Sequence, residues 1–186
     1  MVAVPDALPV LSRGRHRRPS RGACFLEYTA LLAGEPFGDA PRCVDRQLGA
    51  VLRHANDRLT DADRPRLVPL LGRAIGLVVD PALPGRTRVT AQLHRLVAAR
   101  FMAAVGFAPT GREWWLQGAG REVDPLFWHL MDQPFPVPTS AAWVDRLVPR
   151  LEVLHGCYED ALAELGIARV PVPLREPSVA FAVVGS

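Results

Sequence analysis

Four residues near the start of the chain have the types that bind a metal or move a proton: His16, Cys24, Glu27 and Cys43. Two thiols, an imidazole and a carboxylate suit a tetrahedral zinc site, and Glu27 beside a zinc-bound water would be a general base. The spacing argues the other way. Zinc sites written into local sequence bring their ligands in close pairs such as Cys-x-x-Cys, and no such pair occurs here. In the simpler reading Cys24 is a small buried hydrophobe and His16 a surface hydrogen-bonder. Glu27 then needs a partner from the segment before it, an arginine or His16, because a lone buried carboxylate costs several kcal/mol. The expectation is therefore no cofactor, with zinc as the alternative.

A second spacing, Glu152-Val-Leu-His155, is that of di-iron helical bundles. Those bundles use two such motifs and two further glutamates; this chain has one motif, and coincidence accounts for it. All 22 basic residues are arginine. The absence of lysine removes Schiff-base enzymes, phosphate-loop nucleotide hydrolases and protein kinases. Gly-x-Ser-x-Gly and Gly-x-Gly-x-x-Gly are missing as well, so the reading leans away from an enzyme.

Positive charge is concentrated at one end. Residues 1–21 hold Arg13, Arg15, Arg17, Arg18 and Arg21 against Asp6, while the remainder holds 17 arginines against 18 acids. Such an arm can neutralise phosphates on nucleic acid, or its arginines can pair with the body's own carboxylates and pin it down. The second is expected, since the near-neutral body offers no helix with a basic reading face. A further cluster, Trp114, Trp115, Phe127 and Trp128, lies among glycines and reads equally as core or as a partner-binding surface.

These residues need a scaffold, and the pattern that would supply it is helical. The 186 residues, 49% hydrophobic and 22% charged, fit one domain with one core. No run approaches a membrane span, the start of the chain lacks the order of a secretory signal, and three cysteines are too few for a disulfide framework. A cytoplasmic location is expected. Residues 23–33 are apolar on every side and mark a buried helix ended by Gly34 and Pro36. Further helices are expected at 44–58, at 60–79 behind a Thr60/Asp63 cap, from a Thr87 cap to Gly106, near 125–131, and at 140–165. Residues 107–124 read as loop or broken helix, 134–138 as polyproline-like, and the tail after Gly166 as a strand or a loose end. The prediction is an all-α single-domain bundle of about six helices, comprising a basic arm (1–22), a helical domain (23–166) and a Pro-rich tail (167–186).

The run Ser12-x-Gly14-x-His16-x-x-Pro19-x-x-Gly22-x-Cys24-x-x-Glu27, followed by Ala33-Gly34-Glu35, Pro41-x-Cys43 and Asn56-Asp57, resembles a family of small uncharacterised bacterial helical proteins common in actinobacteria. The resemblance covers about residues 10–80. It implies His16, Cys24, Glu27 and Cys43 as the motif positions and carries no activity with it. The family often has Cys or His two residues after Cys43, then Pro, where this chain has Asp45-Arg46; a metal site in relatives would here be lost or take Asp45 as an oxygen ligand.

Taken together, the sequence points first to a helical interaction, adaptor or regulatory module that holds another protein through Arg15, Arg17, Arg18, Trp114, Trp115 and Trp128. A small metal protein built on the N-terminal run is the alternative, and a nucleic-acid binder using the arm is the second alternative. No membrane partner is expected.

Overall fold

The computed structural model describes residues 10–108, 122–131 and 140–169, and within them the chain is an all-α bundle. Helices α1 (Phe25–Leu32), α2 (Arg46–Arg58), α3 (Val68–Ala74), α4 (Arg86–Ala104), α5 (Val123–Met131) and α6 (Ala141–Glu164) follow in order, with a 3-10 turn at Arg64–Leu67 before α3. Extended pairing among the described residues is limited to isolated bridges, Leu11 with Ala23, Ser20 with Gly22 and Val44 with Leu77. No helix of the described residues is long and apolar enough to cross a membrane. Trp114, Trp115, the 134–138 segment and the tail from residue 170 lie outside the described residues.

Helix α1 starts where Glu27, at the third helical position, turns back to accept the Cys24 N–H at 2.8 Å. It ends at Gly34, whose φ of 69° is the left-handed conformation that favours glycine. Phe25, Leu26, Thr29 and Ala30 are buried, as an all-round apolar helix requires, and α1 packs against α2 and α3. The amphipathic α2 buries Leu48, Val51, Leu52 and Ala55. Helix α6 opens at Ser140, whose Oγ accepts the Trp143 N–H at 3.3 Å, and its stripe Trp143, Leu147, Leu151, Leu154, Tyr158 and Leu162 is buried. That stripe and α4, with Leu93, Val97 and Phe101 fully enclosed, form the most extensive helix pair in the bundle.

Two expectations about elements change. The helix expected over 60–79 is instead a 3-10 turn, the short α3 and an extended stretch. Pro65 and Pro69 each sit in a first turn, where the missing N–H costs nothing; they divide the run rather than kink it. Ile75 then turns extended and Gly76 adopts φ 82°. The following Leu77 pairs beside Val44, donor Asp45 N–H to Leu77 carbonyl at 2.8 Å. The second change is at α4: Gly85 at φ 72° occupies the cap, not Thr87. The Thr60/Asp63 cap does form, with the hydroxyl donating to the carboxylate at 2.7 Å and accepting the Asp63 N–H at 3.2 Å.

One charged residue fully inside the bundle has a structural use that its sequence context hides. Arg64 is 2% exposed. Its guanidinium donates to the Asn56 and Leu59 carbonyls at 3.0 and 2.8 Å and pairs with Asp61 at 2.5 Å. The first two are acceptors at the end of α2 that would otherwise be orphaned, so the buried cation acts as a C-terminal cap.

His155 is enclosed by α6 and its neighbours, with Nδ1 on the Leu151 carbonyl at 2.7 Å and Nε2 buried without a partner. Burial is the largest influence and pulls its pKa from 6.5 down to about 4. Above pH 6.5 the ring is neutral in both states, so no penalty arises. As pH falls the unfolded chain takes up the proton first, so stability drops progressively down to about pH 4. By pH 4.5 the loss attributable to this residue should be about 2.5 kcal/mol. Urea unfolding of wild type and His155→Leu at pH 7 and 4.5 checks this: the variant should lack that part of the decline, and parallel declines would contradict it.

Candidate functional site

The N-terminal arm is folded onto the body, and its residues alternate in role. Two backbone bonds tie residues 10–12 alongside Ala23, Ser12 N–H to Ala23 carbonyl at 2.9 Å and Ala23 N–H to Val10 carbonyl at 3.1 Å. The Gly14 N–H donates to Asp57 at 2.9 Å and the Asn56 amide to the Ser12 carbonyl at 3.0 Å, fixing the arm to α2. Gly22 has φ 105°, and a Cβ there would collide with the Ser12 hydroxyl; glycine is required by conformation and by space.

Glu27 is the anchor of this arrangement. It is fully buried and accepts three N–H bonds: His16 backbone at 2.6 Å, His16 Nδ1 at 2.9 Å and Cys24 backbone at 2.8 Å. The partner is thus His16 rather than an arginine. A carboxylate accepts only, so Nδ1 carries a proton, and Nε2 pairs with the Ser12 hydroxyl at 3.0 Å.

Cys43 does not join that group. Its N–H and that of Arg42 both go to the Glu35 carboxylate, at 2.8 and 2.7 Å. The structure therefore brings His16, Cys24 and Glu27 together around a backbone-capping carboxylate and attaches Cys43 to a different one. Burial pushes the Cys24 and Cys43 thiols up to about 12 and Cys157 up to about 11, which holds them protonated at neutral pH. Among the described residues no three His, Cys, Asp or Glu side chains are grouped to hold a metal ion. The Glu152/His155 pair is split as well, with Glu152 exposed and His155 buried.

The aromatic cluster is core where it is described. Trp128 is 8% exposed, stacks on Trp143 at 6.4 Å between centroids, donates Nε1 to Asp124 at 3.0 Å and lies under the Arg58 guanidinium at 4.2 Å. A ring held on both faces and at its polar edge presents little to a partner, which corrects its assignment to an interaction surface. The expected pairing of the arm's arginines with the body is also corrected. Arg13, Arg15, Arg17, Arg18 and Arg21 are all exposed. The one ion pair they make among the described residues, Arg15 to Asp39 at 3.6 Å, leaves Arg15 76% exposed. Backbone bonds and His16 pin the arm; the arginines do not.

A constellation that the sequence reading missed lies at the start of α2. Asp45 caps the helix, accepting the Gln47 and Leu48 N–H groups at 2.9 and 3.3 Å. The same carboxylate accepts Nε2 of His94 in α4, 3.0 Å from each oxygen, and the Tyr158 hydroxyl of α6 at 2.9 Å. Burial alone would raise its pKa, but His94, Tyr158 and the Leu48 N–H outweigh burial and hold the carboxyl below its usual value. The buried Tyr158 hydroxyl is driven well above its ordinary range, by burial first and by Asp45 second, so it stays a donor. Asp45 and His94 line a cleft of about 1030 Å³ with Arg42, Arg46, Arg53 and Arg86. Only the cap had a local signal, an Asp just before an amphipathic helix. His94 and Tyr158 stand 49 and 113 residues away, beyond any spacing rule.

Compared with known proteins, no family model matches the chain, and no curated protein or solved structure matches it either.

Two measurements follow from the anchor and the thiols. Glu27→Ala should destabilise by about 3 kcal/mol, since one buried and two part-buried donors lose their acceptor. Glu27→Gln should cost less, because it keeps the shape and one acceptor; equal midpoints for wild type and Glu27→Ala would show that the carboxylate is dispensable. Titration with a thiol reagent at pH 8 should label the native protein far more slowly than the urea-unfolded chain, in which all three cysteines react. Fast native labelling of Cys24 or Cys43 would mean that a thiolate is accessible.

Proposed function

We propose that the protein is a helical interaction module whose arginine face engages an acidic segment of a partner protein. One observation carries this reading: the folded arm turns Gly14, His16 and Gly22 toward the body and leaves Arg13, Arg15, Arg17, Arg18 and Arg21 in solvent. Fixing five like charges on a pinned segment opposes folding through their mutual repulsion, and one weak pair to Asp39 does not offset it. An external polyanion would. Arginine suits the task, because its planar fork meets carboxylates bidentately. A protein segment is favoured over nucleic acid, since the chain beyond residue 21 carries 17 arginines against 18 acids and adds no net positive charge to that of the arm.

The test separates the arm's two tasks. Changing all five arginines to Gln should not lower the thermal midpoint and should raise it slightly, by up to about 0.5 kcal/mol, as their repulsion is relieved. Removing residues 1–21 should lower it clearly, because Glu27, Asn56 and Asp57 lose partners. Fluorescence anisotropy with a labelled oligoglutamate peptide should show salt-sensitive binding that the five-Gln variant loses. Binding that survives neutralisation overturns the proposal. Tight DNA or RNA binding with a steep salt slope, absent from the variant, would replace it with the nucleic-acid reading.

A further inference from the structure

The cleft beside α2 and α4 is a second feature, lined by four arginines, two acids and a histidine. Positions 46, 49, 50 and 53 of α2 and positions 86, 90 and 94 of α4 line it, each set following one helical face. The segment 39–42 closes a third side. Both acids in the lining are already engaged: Asp45 by His94, Tyr158 and its cap bonds, and Asp39 by Arg15 and Arg53. The cations are not balanced in the same way. Arg42, Arg46 and Arg86 line the cleft, and none makes an ion pair among the described residues. Arg53 donates one arm to the Asp39 carbonyl at 2.7 Å, while its Nε is buried without a hydrogen-bond partner.

The floor adds a directed group. The ionised Asp45 carboxylate accepts only, so it fixes a proton on Nε2 of His94. Nδ1 is then the ring atom with no partner among the described residues, on a side chain 12% exposed that lines the cleft. Leu26, Val44 and Val78 supply an apolar wall. Arg42, Arg46 and Arg86 are exposed to solvent, and several guanidiniums lining one cleft suit an oxyanion, whose lone pairs can accept from more than one of them. The cavity is as large as sites that hold drug-sized molecules, roughly 300–1,000 Å³, which leaves room for an organic body beside the charged group.

We propose that this cleft is a binding site for a small ligand bearing a carboxylate or phosphate group, held by Arg42, Arg46 and Arg86, with His94 Nδ1 donating to it as a second N–H once the ring takes up a proton on binding. The apolar wall receives the ligand's body, and Asp45, itself held by Tyr158, fixes the imidazole in place before the ligand arrives.

The experiment is a titration of the full chain, followed through the His94 ring resonances by NMR, with inorganic phosphate, with succinate, and with chloride at matched ionic strength. Phosphate or succinate should move the His94 resonances saturably while chloride does not; whichever anion binds more tightly assigns the class. The double variant Arg46→Gln, Arg86→Gln should weaken this binding by about tenfold or more, as expected for lost charge-assisted hydrogen bonds. Arg95→Gln, on α4 outside the cleft lining, should leave it unchanged. His94→Gln keeps an N–H for Asp45 and should fold while binding more weakly, read by calorimetry with the better anion. Shifts no larger than those with chloride, or equal affinity in the double variant and wild type, overturn the proposal.

Discussion

Burying the Asp45 carboxylate at 3% exposure is tolerable only because donors from three helices converge on it, and that convergence fixes how α2, α4 and α6 meet. The cap N–H groups of Gln47 and Leu48 come from α2, the imidazole of His94 from α4 and the phenol of Tyr158 from α6. Its own N–H is bound to the Leu77 carbonyl, which holds the residue where the extended stretch after α3 passes. A buried charge satisfied at this many points has a steep energy surface: shifting any one helix strands a donor or a lone pair. Apolar packing between α4 and α6 supplies the larger share of burial, but it is non-directional. The carboxylate selects one register.

Glu27 applies the same principle on a smaller scale. It is a fully buried acid whose acceptors serve backbone N–H groups as well as a histidine, and in doing so it converts a polar, glycine-containing arm into a fixed surface. Reading His16, Cys24 and Glu27 as metal ligands and reading them as a backbone clasp start from the same residues. They differ in what the carboxylate faces. Here it faces three N–H donors at hydrogen-bond distance, and the thiol beside it is held protonated by burial. The outcome for the arginines follows. Once the residues between them hold the arm, the long cationic side chains have no structural part to play and extend into solvent.

The arm and the cleft adjoin at Asp39, which lines the cleft and receives Arg15 from the arm and Arg53 from α2. Two basic features of different shape are thus linked at one acidic residue. The arm carries exposed arginines on an extended segment, and the cleft is concave, with arginines along its lining. A chain without lysine has to build both from guanidinium groups, whose weak hydration and planar geometry favour paired contacts with oxyanions.

The sequence by itself determined the helices with long, clean periodicity. The amphipathic α2, α4 and the stripe of α6 are legible because burial of one face imposes a 3.6-residue repeat on the chain, and α1 because an all-round apolar run is closed by Gly34 and Pro36. It also determined that Glu27 must have a partner, since that requirement follows from the cost of an unpaired charge in an apolar helix. Where local rules compete, the sequence decided less. Residues 75–79 continue the apolar run of the helix expected over 60–79, but Gly and β-branched residues form helices poorly; the chain leaves the helix because Gly76 takes a left-handed turn and Leu77 finds a backbone partner beside Val44. Trp128 reads equally as core or surface until Trp143, Asp124 and Arg58 are seen to enclose it. The choice of Cys43's partner and the meeting of Asp45 with His94 and Tyr158 belong to tertiary structure alone. Periodicity reports which face of a helix is buried, but it carries no record of which residue on a distant helix lies opposite, and hydrogen bonds across such contacts are decided by packing.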